Sequence, residues 1–175
     1  DAGLKGYWNF LTYEAYFFNV FITDYITLGE SSRDNCQFEY TNIGEAWLIG
    51  GEGRLTFDFD HLYKSLGLKF WSSISYVRGE DRNSSSPLPQ IPPLRNNSGI
   101  QLYGGGSTVL KRFYIEFVGR YNAEQDRISS GASDSSDSSG DTESSTGQYF
   151  LADASLGFLF MRFDPGVTVN AFVKI

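Results

Sequence analysis

Between Gln37 and Phe59 runs a stretch of about 22 residues that alternates polar and apolar side chains and contains no proline. Strict alternation is the signature of a strand with two unlike faces. A strand of that length lies far outside the roughly 3–10 residues usual in globular sheets. Few architectures need one. A transmembrane β-barrel does, because its strands cross the bilayer at a steep tilt.

Six further segments read as strands, at 7–28, 65–80, 94–104, 110–127, 147–162 and 166–175. Aromatic and β-branched residues fill them, and Gly, Asn, Asp and Ser gather between them. Aromatics make up 17% of the 175 residues, and mean hydropathy is −0.28. No run approaches the roughly 18 apolar residues that a membrane helix requires. A barrel escapes that demand, since lipid-facing and lumen-facing residues average to a polar composition.

The connections have a parity. Those near Asp60 to Lys64, Gly104 to Thr108 and Phe163 to Gly166 are short. Those near Gly29 to Asn35, Asp81 to Pro93 and Ser129 to Thr146 are longer and more polar. Short turns at one rim and long loops at the other distinguish outer-membrane barrels. The stretch from Ser129 to Asp141 is almost all Ser, Gly and Asp. It reads as a flexible extracellular loop spanning 129–146. Its aspartates lack the spacing of a calcium loop.

Parity also assigns faces. Ile43, Trp47, Ile49, Leu55, Phe57 and Phe59 share one side of the long strand, and Asn42, Glu52, Arg54, Thr56 and Asp58 the other. Leu66, Leu68, Phe70, Ile74 and Tyr76 oppose Lys69, Trp71, Ser73 and Ser75. Phe113, Ile115, Phe117 and Tyr121 oppose Arg112, Glu116, Arg120 and Asn122. The polar sets would line a lumen. Phe57, Phe59, Tyr63, Tyr76 and Tyr121, near strand ends, would form interfacial girdles. Segment 7–28 is apolar on both faces and stays unassigned.

Catalytic signals are lacking. Cys36 is the sole cysteine and His61 the sole histidine, and they fall at opposite rims. No phosphate-binding glycine loop, zinc spacing or nucleophile elbow occurs. The expectation is a non-enzyme without metal or cofactor. A net charge of −7 argues against nucleic acid as a partner.

Four segments carry a family resemblance. Ile22-Thr23-Asp24-Tyr25-Ile26 precedes a loop, and Tyr40-Thr41-Asn42 leads into Ala46, Gly50 and Glu52 with the spacing Asn-x3-Ala-x3-Gly-x-Glu. Tyr76 to Glu80 is followed by Pro87-Leu88-Pro89-Gln90-Ile91-Pro92-Pro93-Leu94-Arg95, and Gln125-Asp126-Arg127 closes a later segment. In order and spacing these resemble the C-terminal barrel strands of TonB-dependent outer-membrane receptors.

The resemblance implies an all-β, antiparallel, up-and-down barrel in the outer membrane of a Gram-negative bacterium. Its surroundings would be outer-membrane lipid and lipopolysaccharide. Its implied function is TonB-dependent uptake of a scarce ligand, such as a ferric siderophore or other metal chelate. The loop cations Arg33, Arg82 and Arg95 are candidates to meet an anionic chelate. Asn42, Ala46, Gly50, Glu52, Pro92 and Pro93 are family-motif positions with structural roles, Glu52 as partner of a lumen or plug cation. The family's plug, the N-terminal region that meets TonB, and its final strand are not recognisable here. Seven strands is an odd number, whereas bacterial single-chain barrels use an even one. The expectation is a partial barrel, about a third of one in the 22-strand class. A passive porin-type barrel and a soluble β-sandwich binding module are the alternatives.

Overall fold

Alternating segments free of proline can form ladders along their whole length, and in a computed structural model of the chain they do. The structure describes residues 1–30, 38–106, 112–128, 144–163 and 167–175. Among them are eight strands in one antiparallel sheet, in sequence order throughout. They are β1 (Ala2–Trp8), β2 (Leu11–Glu30), β3 (Phe38–Tyr63), β4 (Leu66–Asp81), β5 (Arg95–Gly104), β6 (Arg112–Asn122), β7 (Tyr149–Phe163) and β8 (Val167–Lys174).

Eight strands correct the expectation of seven. Segment 7–28 contains a two-residue reversal at Asn9 and Phe10, where Asn9 takes a φ of 54°. Asn tolerates that left-handed region better than most residues. An even count removes the odd-number argument. The sheet is nevertheless open: among the described residues β1 pairs only with β2, and β8 only with β7. The 26-residue β3 also runs into the expected turn at Asp60 to Lys64, as far as Tyr63. His61 therefore lies within a strand, and the reversal narrows to Lys64 and Ser65, with Lys64 at φ 53°. In the other direction, β6 ends at Asn122 rather than at 127.

The register fixes both faces. Glu52 pairs with Ser75, Ser75 with Arg95, and Arg95 with Asn122; Thr56, Trp71, Gly99 and Val118 form a parallel row. On the other side Phe57, Phe70, Ile100 and Phe117 stand in line, as do Phe59, Leu68, Leu102 and Ile115. Segment 7–28 can now be placed: within β2, Tyr13, Ala15, Phe17 and Phe21 join the apolar side, while Glu14, Tyr16, Phe18 and Val20 join the side of Glu52.

Almost nothing here is a conventional core. Among the described residues only Ala46 and Leu88 are buried apolar side chains, while Phe21 is 61% exposed, Phe117 57% and Phe150 65%, all on one face. A contiguous apolar face of this kind would aggregate in water and is at home against acyl chains. Trp47 and Phe59 are twelve positions apart on that face of β3. That is about 40 Å along the strand, or about 30 Å of height at a tilt of roughly 40°. The span matches a bilayer's hydrocarbon thickness. Aromatic clusters mark both ends. Near the short turns Phe10 stacks on Phe59 at 4.8 Å and Phe57 lies 6.2 Å from Phe70. At the far end Phe21 stacks on Trp47 at 6.2 Å.

Candidate functional site

The polar face concentrates its charge where the strands are longest. Lys5 Nζ reaches Glu14 Oε1 at 2.8 Å, and Glu14 stands opposite Arg54 in the ladder. Glu14, Tyr16, Glu52, Arg54, Ser73 and Asn97 border a concavity of about 340 Å³. Glu52, Arg54 and Arg95 are exposed, and Glu52 and Arg95 make no ion pair among the described residues. Nearer the short turns, the Tyr103 hydroxyl lies 2.6 Å from Asp58 Oδ1 and also meets Asp60. Further round, Arg120 pairs with Asp153. A face of this kind can stay wet or hold a charged partner inside the barrel.

At the long-loop end of β2 and β3 the ladder breaks its register between Ile22 and Ile26. Asp24 has a φ of 56° and Gly44 of 86°. Two left-handed residues on facing strands make a double bulge, which adds twist and re-aims the strand ends. Asn42 stabilises it from both sides: its Oδ1 accepts the Gly44 amide at 2.8 Å and its Nδ2 donates to Asp24 Oδ1 at 3.2 Å. Asn83 Nδ2 adds a bond to the Ile43 carbonyl at 2.6 Å. Across the break Ile22 pairs with Ala46 and Ile26 with Asn42, so each strand advances four residues.

Ala46, just past the bulge, has no exposed surface. Gly50 is required by contact: a Cβ there would sit 2.4 Å from the Phe18 ring and 2.6 Å from the Tyr76 carbonyl oxygen. The family-motif positions are thus bulge cap, packed small residue, close approach and lumen-face charge.

Beyond Ser75, β4 has no β5 partner, and the loop 82–94 takes that place. Leu88 N donates to Gly79 O at 3.1 Å, and Asp81 N to Ser86 O at 2.9 Å. Leu88 is fully buried, and a Cβ on Gly79 would lie 3.0 Å from its Cδ1 and 2.9 Å from Ile91 Cδ1. Gly79 shares a face with Leu48 and Val20, and Val77 with Gly50 and Phe18. The apolar loop residues therefore seat on an apolar upper part of the inner face, which is why segment 7–28 looked apolar on both sides. The Asp81 carboxylate, 8% exposed, accepts the Asn83 amide at 2.8 Å and the Ser84 hydroxyl at 2.7 Å. Burial alone would raise its pKa; these bonds, with the Ser84 amide, outweigh it and hold the group below its ordinary value. Gln125 Nε2 donates to Ile91 O at 2.8 Å, and Ala123 N to Leu94 O at 2.9 Å. Pro92 and Pro93 line a cavity of about 140 Å³ with Pro87, Ile91 and Gln125.

The three candidate ligand cations part company. Arg33 lies outside the described residues, as does Cys36. Arg95 stands on the inner face at the start of β5, opposite Ser75 and Asn122. The Arg82 guanidinium lies over the Phe21 ring, 5.6 Å from its centroid, on the apolar outer side. Sequence reasoning did not single out Leu88, Asp81 or Asn83. The one available signal was Asp81-Arg82-Asn83-Ser84, a run suited to side-chain-capped turns.

No curated protein matches this chain. Among solved structures, "Copper transporter OprC" is similar at a TM-score of 0.69 and 20% sequence identity, over 89% of this chain and 22% of that one. The chain thus spans about a fifth of the transporter's length, and at that identity the likeness concerns the fold, an antiparallel barrel wall. A family description, "TonB dependent receptor-like, beta-barrel", matches residues 1–174. Since that match takes in nearly the whole chain, this protein belongs to the TonB-dependent receptor β-barrel family of the Gram-negative outer membrane.

Proposed function

We propose that this chain is part of the barrel of a receptor that takes up a scarce metal chelate, such as a ferric siderophore, through TonB. The supporting observation is the inner wall. Glu52 and Arg95 project exposed charge into the lumen without an ion-pair partner among the described residues. Lone charges in a confined, wet lumen suit a second body that enters it.

In this reading a plug domain, carried by the rest of the full-length receptor, sets its cations against Glu52. TonB acts on that plug from the periplasm. Arg95, on the inner wall in the same ladder row as Ser75 and Glu52, attracts an anionic chelate; a guanidinium suits carboxylate or catecholate oxygens. Arg33 is assigned to the same task. The wall's own residues bind and orient, and no chemical step is assigned to them.

The test uses the full-length receptor in detergent. Its tryptophan fluorescence is titrated with ferric chelates, copper chelates and cobalamin, for wild type and for Arg95→Gln. The reading expects saturable binding of one chelate, weakened about tenfold by the substitution. Absence of binding to all of them, with normal growth of a deletion strain on limiting metal, would overturn it.

A further inference from the structure

At the long-loop end, connections are bonded to one another and not only to their own strands. The β5–β6 ladder runs up to Arg95 and Asn122, and one further bond, from Ala123 N to Leu94 O at 2.9 Å, extends it. It can go no further, because Pro92 and Pro93 have no N–H to give. The Gln125 side chain supplies a donor in their place: its Nε2 reaches Ile91 O at 2.8 Å and Arg127 O at 3.3 Å. The backbone of the same residue exchanges two bonds with Thr146, Gln125 N to Thr146 O at 2.8 Å and Thr146 N to Gln125 O at 3.1 Å. Gln125 thus joins the loop 82–94 to the outgoing and returning arms at the base of the β6–β7 connection.

The other flank of the loop is tied to β3. Arg82 N donates to Glu45 O at 3.0 Å, and Asn83 Nδ2 to Ile43 O at 2.6 Å. Between the two flanks Leu88 sits against Gly79 on the inner face. The loop therefore spans from the β3 bulge to the base of the β6–β7 connection. Its join to that base is not close-packed. The cavity of about 140 Å³ lies there, between Val77, Ile91 and Pro93 on one side and Ala123 and Gln125 on the other. That is roughly the size that admits benzene in an apolar interior. Few atoms meet across such a gap, so dispersion holds the two bodies weakly. Discrete bonds hold them instead: Gln125 Nε2 to Ile91 O, with Arg127 Nη2 to Glu80 Oε1 at 3.0 Å fastening the same base to β4.

We infer that the loop 82–94 is a strap that opens and closes together with the base of the β6–β7 connection, and that Gln125 is the clasp between them. Clasped, Leu88 is seated and Gln125 is paired with Thr146; unclasped, both loosen. By linkage, whatever stabilises the closed base also seats the strap, and by the same factor. A contact made on the outer connection is thereby felt at the inner face of the wall, where Gly79 shares a side with Leu48 and Val20. Gln125 is a positioning residue that acts through Ile91 and Thr146. The device operates whatever the lumen carries.

Native-state hydrogen exchange on the full-length receptor tests this as a double-mutant cycle. The variants are Leu88→Ala, Gln125→Leu and the two combined. Gln125→Leu keeps the backbone pair with Thr146 and removes the side-chain amide. In the wild-type background Leu88→Ala should speed exchange at the Gln125 and Thr146 amides about tenfold, although both N–H groups bond within the base itself. In the Gln125→Leu background the same change should leave those two amides as they are. Heat-modifiable gel mobility reports folding; should Gln125→Leu fail it, Gln125→Asn, whose amide is one methylene short of Ile91 O, takes its place. Amides at Gln125 and Thr146 that ignore Leu88→Ala in the wild-type background, or that quicken equally in both backgrounds, would overturn the proposal.

Discussion

Replacing Leu88 by alanine should free the 82–94 loop without disturbing the sheet. Among the described residues Leu88 is the one large side chain that is fully buried, and it packs against Gly79 on a stretch of β4 that has no β5 partner. Truncating a buried leucine costs about 2–5 kcal/mol. The site is small and at the rim, so about 3 kcal/mol is a fair working value. That energy falls on local opening, because the ladders of Glu52 to Ser75 and Ser75 to Arg95 do not involve the loop. At about 1.4 kcal/mol per tenfold, opening becomes on the order of 100-fold more frequent. Native-state hydrogen exchange on the full-length receptor reads this directly. The amides of Leu88, bound to Gly79 O, and Asp81, bound to Ser86 O, should exchange faster by about that factor. The amides of β4 from Leu68 to Ser75 should not change. Unchanged exchange at Leu88, or equal acceleration throughout β4, would refute the claim that the loop is a locally anchored shelf.

Three further outcomes are expected. Gly50→Val should destabilise the barrel by several kcal/mol, because its side chain meets the backbone carbonyl of Tyr76 as well as the Phe18 ring; urea unfolding followed by gel mobility measures it, and Gly53→Ala, with its nearest neighbour at 3.5 Å, is the tolerated control. Asn42→Ala should cost about 1 kcal/mol by removing the bonds to the Gly44 amide and Asp24, with faster exchange confined to the bulge. Loop protection should weaken in acid: against burial, which alone would raise its pKa, the bonds from the Ser84 hydroxyl and the Asn83 and Ser84 amides hold the Asp81 carboxyl below its ordinary value. A lowered folded-state pKa contributes stability above the unfolded value of about 3.9 and loses it as pH falls below that, through the folded value. Proteolysis of the loop across that range should show the step, and Asp81→Asn should flatten it.

What could be read beforehand follows from how local each feature is. Alternation sets facing residue by residue, so Phe57 against Thr56 and Phe117 against Glu116 were legible in β3 and β6, as was the long-strand architecture. The reversal at Asn9 and Phe10 was not, because Trp8 and Leu11 flank it with no Gly or Pro to mark it, and one left-handed Asn suffices. The bulge between Asn42 and Ala46 was hidden for the opposite reason: Gly44 lies inside a pattern that otherwise alternates, and only a pairing partner, Tyr25, exposes the slipped register. Leu88 and Arg82 depend on where a loop returns. Nothing in Pro87 to Pro93 says that it seats on Gly79, nor does the spacing of Arg82 put it over Phe21. The polar inner wall could be predicted, but not which of its charges remain unpaired.

The central claim is that one face of these strands meets lipid and the other the lumen. Single cysteines at 56 and 57 in β3, 70 and 71 in β4, 99 and 100 in β5, and 117 and 118 in β6 can be spin-labelled in the full-length receptor, in a Cys36→Ser background, in lipid bilayers. Accessibility is then measured to oxygen, which dissolves in the membrane, and to a water-soluble nickel complex. The account predicts strict alternation, with labels at Phe57, Phe70, Ile100 and Phe117 favouring oxygen and those at Thr56, Trp71, Gly99 and Val118 favouring the nickel complex. Uniform accessibility along each strand, or alternation in the opposite phase, would contradict it.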